Sequence, residues 1–179
     1  MHRLFVAIDL PEEIKLVIGS LRCSLPGAKW VAESQIHLTL RFIGEVDDEL
    51  LKMIVASLSG IVAAPFSLAM QGVGCFPPKR DPKVLWVGVD GGSALFALQG
   101  EIEKALVRKG VAPEDRPFSP HITIARLKET PAARVVPFLR HYARFATRSF
   151  PVTQFILYSS TLTPQGAVHR QEALFPLRG

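Results

Sequence analysis

Two copies of one four-residue pattern constrain this chain more than any other feature. They are His37-Leu38-Thr39-Leu40 and His121-Ile122-Thr123-Ile124. Side chains alternate between the faces of a strand, so in each copy the imidazole and hydroxyl share one face and the two aliphatics share the other. A strand of this kind anchors itself in a core through the aliphatics and displays a proton-transfer group beside a hydroxyl donor. Two such strands facing each other would make a small pocket with two imidazoles and two donors for an anionic oxygen. A single copy is ordinary, because a half-buried histidine beside a threonine suits many strands. The pair gains meaning if the chain is duplicated and the copies sit in equivalent places.

The order of predicted elements supports a duplication. Arg3 to Asp9 reads as a strand, and Pro11, Glu12 and Glu13 open a helix with the apolar stripe Ile14, Val17, Ile18, Leu21. Trp30 and Val31 lead into the His37 strand, which is expected to stop at Gly44. Asp47 caps a helix carrying Leu50, Leu51, Ile54 and Leu58, with Gly60 past its end, and a strand follows from Phe66 to Val73. The Pro-rich, basic stretch Phe76 to Lys83 is a loop, and after it the pattern restarts. Val84 to Val89 is a strand, and Ser93 caps a helix with Leu95, Leu98, Ile102 and Leu106 facing inward. The His121 strand comes next, then a helix interrupted by Pro131 and Pro137. Phe150 to Tyr158 and Val168 to Phe175 are expected to be the last strands, joined by the turn Thr163 to Gly166. The first strands of the halves begin 81 positions apart (84 − 3) and the histidines 84 apart (121 − 37), a nearly constant register. The expectation is one domain, 1–179, with interleaved lobes and repeat halves at about 3–75 and 84–176.

Charge and cysteine content bound the setting. Lys and Arg total 21 against 16 acidic residues, a net +5, which favours a polyanionic partner without requiring one. No apolar run approaches the roughly 20 residues that span a bilayer, so no membrane role is expected. Cys23 and Cys75 have neither metal-type nor redox-type spacing, and a cytoplasmic protein with reduced thiols is expected. No His/Cys/Asp/Glu cluster has metal-ligand spacing, so neither a metal nor another cofactor is expected.

With these blocks in place the chain resembles the 2H phosphoesterase superfamily, and within it the RNA 2′,3′-cyclic phosphodiesterases also labelled 2′-5′ RNA ligases. The resemblance rests on Arg3-Leu-Phe-Val-Ala-Ile-Asp-Leu-Pro11, on His37-Leu-Thr-Leu-Arg-Phe-Ile-Gly-Glu-Val46 and on Arg116-Pro-Phe-Ser-Pro-His-Ile-Thr-Ile-Ala-Arg126. It implies a bilobal α+β fold, a pseudo-twofold duplication in which two antiparallel sheets flanked by helices enclose a central cleft. It implies metal-independent hydrolysis of a 2′,3′-cyclic phosphate at an RNA end to a 2′-phosphomonoester. His37 and His121 would be catalytic, Thr39 and Thr123 would hold phosphate oxygens, and Arg126 would contact substrate. The expected partner is RNA with such ends, tRNA fragments or small cyclic nucleotides included, and the expected state is a monomer. Two other readings differ in class: a ligase or phosphotransferase joining tRNA-half-like ends, and an RNA-end binding module without turnover. The family often has a tyrosine after the last turn's glycine, where this chain has Gly166-Ala-Val-His169-Arg170.

Further candidates are weaker. Phe5 shares a strand face with Ala7 and would either stack on a nucleobase or pack in the core, and the same choice holds for Phe76. Some of Lys79, Arg80, Lys83, Arg126 and Lys128 are expected at the cleft mouth. Trp30 and Trp86 are expected in the core, and His2, His141 and His169 on the surface.

Overall fold

A computed structural model describes all residues 1–179. Strands are β1 (His2–Asp9), β2 (Ala28–Trp30), β3 (His37–Val46), β4 (Phe66–Phe76), β5 (Val84–Asp90), β6 (His121–Leu127), β7 (Phe150–Val152), β8 (Gln154–Thr163) and β9 (Gly166–Pro176). Helices are α1 (Glu12–Gly19), α2 (Asp48–Ser59), α3 (Gly92–Val107) and α4 (Ala132–His141). The strands form two sheets, ordered β3-β1-β8-β9 and β2-β6-β5-β4-β7, and every pairing between neighbours is antiparallel. Although they belong to different sheets, β3 and β6 run close to each other where the sheets meet. The α+β duplication is thus as expected. The first half places β1 and β3 in one sheet but sends β4 to pair with β5 in the other, and the second half sends β8 back to pair with β1.

Local chemistry explains most of the elements. The Asp47 carboxylate accepts the Leu50 N–H at 2.8 Å and caps α2, while Ile54 and Leu58 are buried beneath it. Leu95, Leu98, Ile102 and Leu106 form the buried stripe of α3. That helix begins at Gly92, with φ +56°, and has no side-chain cap, so Ser93 sits within its first turn instead of capping it. Pro131 precedes α4 at its N-cap and only Pro137 lies inside it, so the helix runs ten residues unbroken. The segment from Phe150 to Tyr158 is divided: β7 pairs with β4 and β8 with β1, in different sheets. No helix is long and apolar enough to cross a membrane.

A β-bulge lies immediately after each His-x-Thr in the same register. Ala7 pairs with Thr39 but Val6 with Arg41, so Leu40 is the extra residue; Trp86 pairs with Thr123 but Leu85 with Ala125, so Ile124 is extra. The expected stop at Gly44 does not occur, because Gly44, with φ +94°, accommodates the next irregularity and β3 continues to Val46. Leu38, Leu40, Ile122 and Ile124 are buried in the main apolar cluster with the helix stripes. Phe5, Ala7 and Ile156 are equally buried yet lie outside that cluster, on the opposite face of their sheet. That second face is the cleft wall.

Candidate functional site

The bulges decide which side chains reach the cleft. Phe5 pairs with Phe42, Ala7 with Thr39 and Asp9 with His37, and Phe5, Ala7 and Asp9 alternate onto one face. His37, Thr39 and Phe42 therefore share the cleft face, and Arg41 is turned to the helix side. There Arg41 is buried and bonds Glu103 and the carbonyls of Phe42 and Ala112. In the other sheet Gly88, Trp86 and Val84 pair with His121, Thr123 and Arg126, which puts these three on the cleft face too. Each motif thus delivers an imidazole, a hydroxyl and a residue five positions after the histidine, Phe42 in one and Arg126 in the other.

Each imidazole is fixed from behind by a backbone carbonyl two residues upstream. His37 Nδ1 donates to the Gln35 carbonyl at 2.7 Å, and His121 Nδ1 to the Ser119 carbonyl at 2.8 Å. Those bonds place the proton on Nδ1 in the neutral rings and leave Nε2 as the working nitrogen. The Thr39 hydroxyl lies 3.1 Å from His37 Nε2, on the cleft face. Phe5 stacks on His37 with centroids 5.0 Å apart, and Phe76 meets His121 edge-on at 5.0 Å.

The two walls differ in solvation. Burial, above all, pulls the His37 pKa down to about 4; the Gln35 carbonyl and Asp9 oppose this, while His169 and Lys15 reinforce it. Between pH 4 and 6.5 the unfolded chain therefore carries a proton that the folded site refuses, so stability rises with pH across that window. Acidification from neutral pH to 4 should cost up to about 3 kcal/mol through this residue. Chemical denaturation at pH 7 and 4.5 should show a smaller acid loss in His37→Gln than in the unmodified chain. Equal losses would place the acid sensitivity elsewhere.

Several residues sit where the sequence did not put them, and Phe5 takes the packed side of the choice left open for it. Phe5 is 3% exposed beneath His37, Tyr158 and His169, so it supports the imidazole and has no free face for a base. Phe42, 63% exposed, is the aromatic that faces solvent near that wall. Trp86 is not in the core: it is paired with Thr123 on the cleft face and lies over Gly74, where an added Cβ would stand 2.1 Å from the indole. His169 is not on the open surface; its ring stands edge-on to His37 at 5.4 Å. Tyr158, pushed up to about 12 by burial and by Asp9, stays protonated on the same wall. Lys29, opposite Arg126 on β2, was not a candidate from sequence, and neither side chain has a carboxylate partner, whereas Lys83 is paired with Asp81. A cavity of about 90 Å³ lies against His37 and is lined also by Phe5, Asp9, Gln35, Tyr158 and His169. A larger one, about 380 Å³, is bordered by Ile124 and Trp30 and reaches neither motif histidine.

Comparison with known proteins gives consistent matches. The family model described as the 2′-5′ RNA ligase superfamily matches residues 10–163. A Thermotoga maritima protein named RNA 2′,3′-cyclic phosphodiesterase is 37% identical over 174 residues, 94% of this chain and 91% of that protein. One of the same name from Archaeoglobus fulgidus is 33% identical, over 97% of this chain and 99% of that protein. The crystal structure of E. coli LigT complexed with 3′-AMP superposes with a TM-score of 0.84 at 29% identity, covering 99% of both chains.

Proposed function

Because the chain belongs to the 2′-5′ RNA ligase superfamily of 2H phosphoesterases, we propose that it hydrolyses RNA 2′,3′-cyclic phosphodiester ends to 2′-phosphomonoesters. The observation that carries this is the matched pair of bulged strands, each presenting His and Thr to one cleft. Water attacks phosphorus and the P–O3′ bond breaks, leaving the phosphate on O2′. His121 takes the proton of the attacking water and His37 gives one to O3′. Thr39, Thr123 and Arg126 hold the non-bridging oxygens, where charge builds up.

Burial keeps His37 neutral at pH 7, so it must gain its proton with the substrate. A phosphate anion about 4 Å away, at an effective dielectric constant of about 20, favours the imidazolium by about 4 kcal/mol, or about three pKa units. That is enough to lift a group near 4 to neutrality. The substrate thereby charges the acid that acts on it.

The deciding assay uses a short RNA with a 2′,3′-cyclic end, incubated in EDTA. A 2′-phosphate product is expected, since the proposed acid, base and oxygen-holding groups are all side chains of this chain and His37 protonates O3′. A 3′-phosphate product, or turnover only after a divalent ion is restored, would defeat the proposal. Lys29 and Arg126 extend the site along the β2-β6 edge as two unpaired cations for RNA phosphates. Log affinity against log salt should flatten by about 0.7 when either is replaced by alanine. An unchanged slope would remove that residue from the RNA path. The same measurement on a Lys79 and Arg80 double replacement decides whether the exposed Pro-rich loop takes part.

A further inference from the structure

His169 reaches the site by an unusual route. In the order β3-β1-β8-β9 its strand lies three places from β3, about 14 Å away at ordinary strand spacing. Yet its ring centroid is 5.4 Å from that of His37 and 4.9 Å from that of Phe5. The sheet curls into a half-barrel whose edges converge, and the Gln35 side chain closes the gap by donating to the Ala167 carbonyl. The same Gln35 holds His37 through its own carbonyl. One residue thus holds the His37 ring directly and ties down the β9 backbone two residues before His169.

His169 Nδ1 is buried and has no hydrogen-bond partner. The only other side-chain atom in this condition is Trp86 Nε1, on the opposite wall of the cleft. Every other buried side-chain nitrogen or oxygen is paired, so the exceptions coincide with the site and call for a missing partner. The adjoining cavity of about 90 Å³ has room for ligand oxygens beside His169 and His37.

We propose that His169 is a third imidazole of the site, its Nδ1 donating to an oxygen of the phosphate held by His37. The proposal rests on the reading of a phosphate-ester substrate, and it assigns that ester an additional donor from β9.

Two substitutions test it, His169→Phe and His169→Asn. Phenylalanine fills the space without a nitrogen, so the unpaired polar atom disappears and the melting temperature should stay level or rise. At the same time kcat/KM should fall about 10- to 100-fold, the range for a hydrogen bond to a charged group. Asparagine places an amide nitrogen near the Nδ1 position and should recover most of the loss. Binding of inorganic phosphate, measured by calorimetry, should weaken in His169→Phe by a similar factor. This measurement tests His169 whether or not the cyclic ester is turned over, so the two proposals fail separately. Full phosphate affinity in His169→Phe would overturn the inference. So would a fall in melting temperature accompanying equal activity losses in both variants, which would make His169 a residue of the fold.

Discussion

Alanine at His37 or at His121 should lower kcat/KM by at least about 100-fold, the effect of removing one proton-transfer group. The two rings are held alike, each by a carbonyl on Nδ1 and a phenylalanine alongside, so neither loss should be hidden by a slack site. The double variant should fall far short of the product of the single losses, because the acid has little to do once the base is gone. Substrates with a more acidic 3′ leaving group separate the roles. They need little help from an acid and should restore much of the activity of His37→Ala but little of His121→Ala. The opposite pattern would exchange acid and base. Near-normal turnover by either single variant would end the two-histidine mechanism.

Arg41→Ala should lower the melting temperature by roughly 10 °C, although Arg41 never faces the cleft. Its guanidinium is buried on the far side of the bulge, where it bonds Glu103 and two carbonyls. Burial pushes the Glu103 carboxyl up, but Arg41 and the Glu114 N–H together hold it below its ordinary value. Removing one partner of such a pair costs about 3–5 kcal/mol, and each kcal/mol is worth about 2–4 °C in a chain of this size. Phe42 and Thr39 flank that bulge, so activity should fall with stability. Glu103→Gln keeps the shape but turns one of the two accepting oxygens into a donor, so it should lose stability as well. A thermal melt of Arg41→Ala within 2 °C of the unmodified chain would show that the bulge holds itself.

The motif strands were legible because their signal is local: an aliphatic at every second position is enough to orient His37, Thr39, His121 and Thr123. The faces beyond them were not. Strict alternation would carry Arg41 into the cleft and Arg126 out of it, and the bulges at Leu40 and Ile124 reverse both. No residue type announces those bulges, since Leu40 and Ile124 are ordinary strand residues. Trp86 and His169 were misread, and the choice at Phe5 was left open, for a related reason: their surroundings are made by strands far away in sequence. The turn at Gly166 was visible, but not the curl that brings the strand after it over His37. The break at Thr153 was hidden too, because Phe150 to Tyr158 is one continuous β-like run divided only by the sheets that claim its two ends.

The crossing of β4 and β8 between the sheets has a consequence for how the chain can fold. Cut in the loop between β4 and β5, the first fragment keeps β1 and β3 as a bare pair and carries β4 without its β5 partner; the second keeps β5 with β6 but lacks β4. Two-stranded units of this size are marginal in water, so neither fragment should persist alone. Mixed together, the fragments can each supply what the other lacks, and two copies of one fragment could do so only as an intertwined dimer. The intact chain should accordingly unfold in a single transition, with the two histidine walls lost together. A protein built this way cannot loosen one wall of its cleft by melting a lobe; it must open within the folded state.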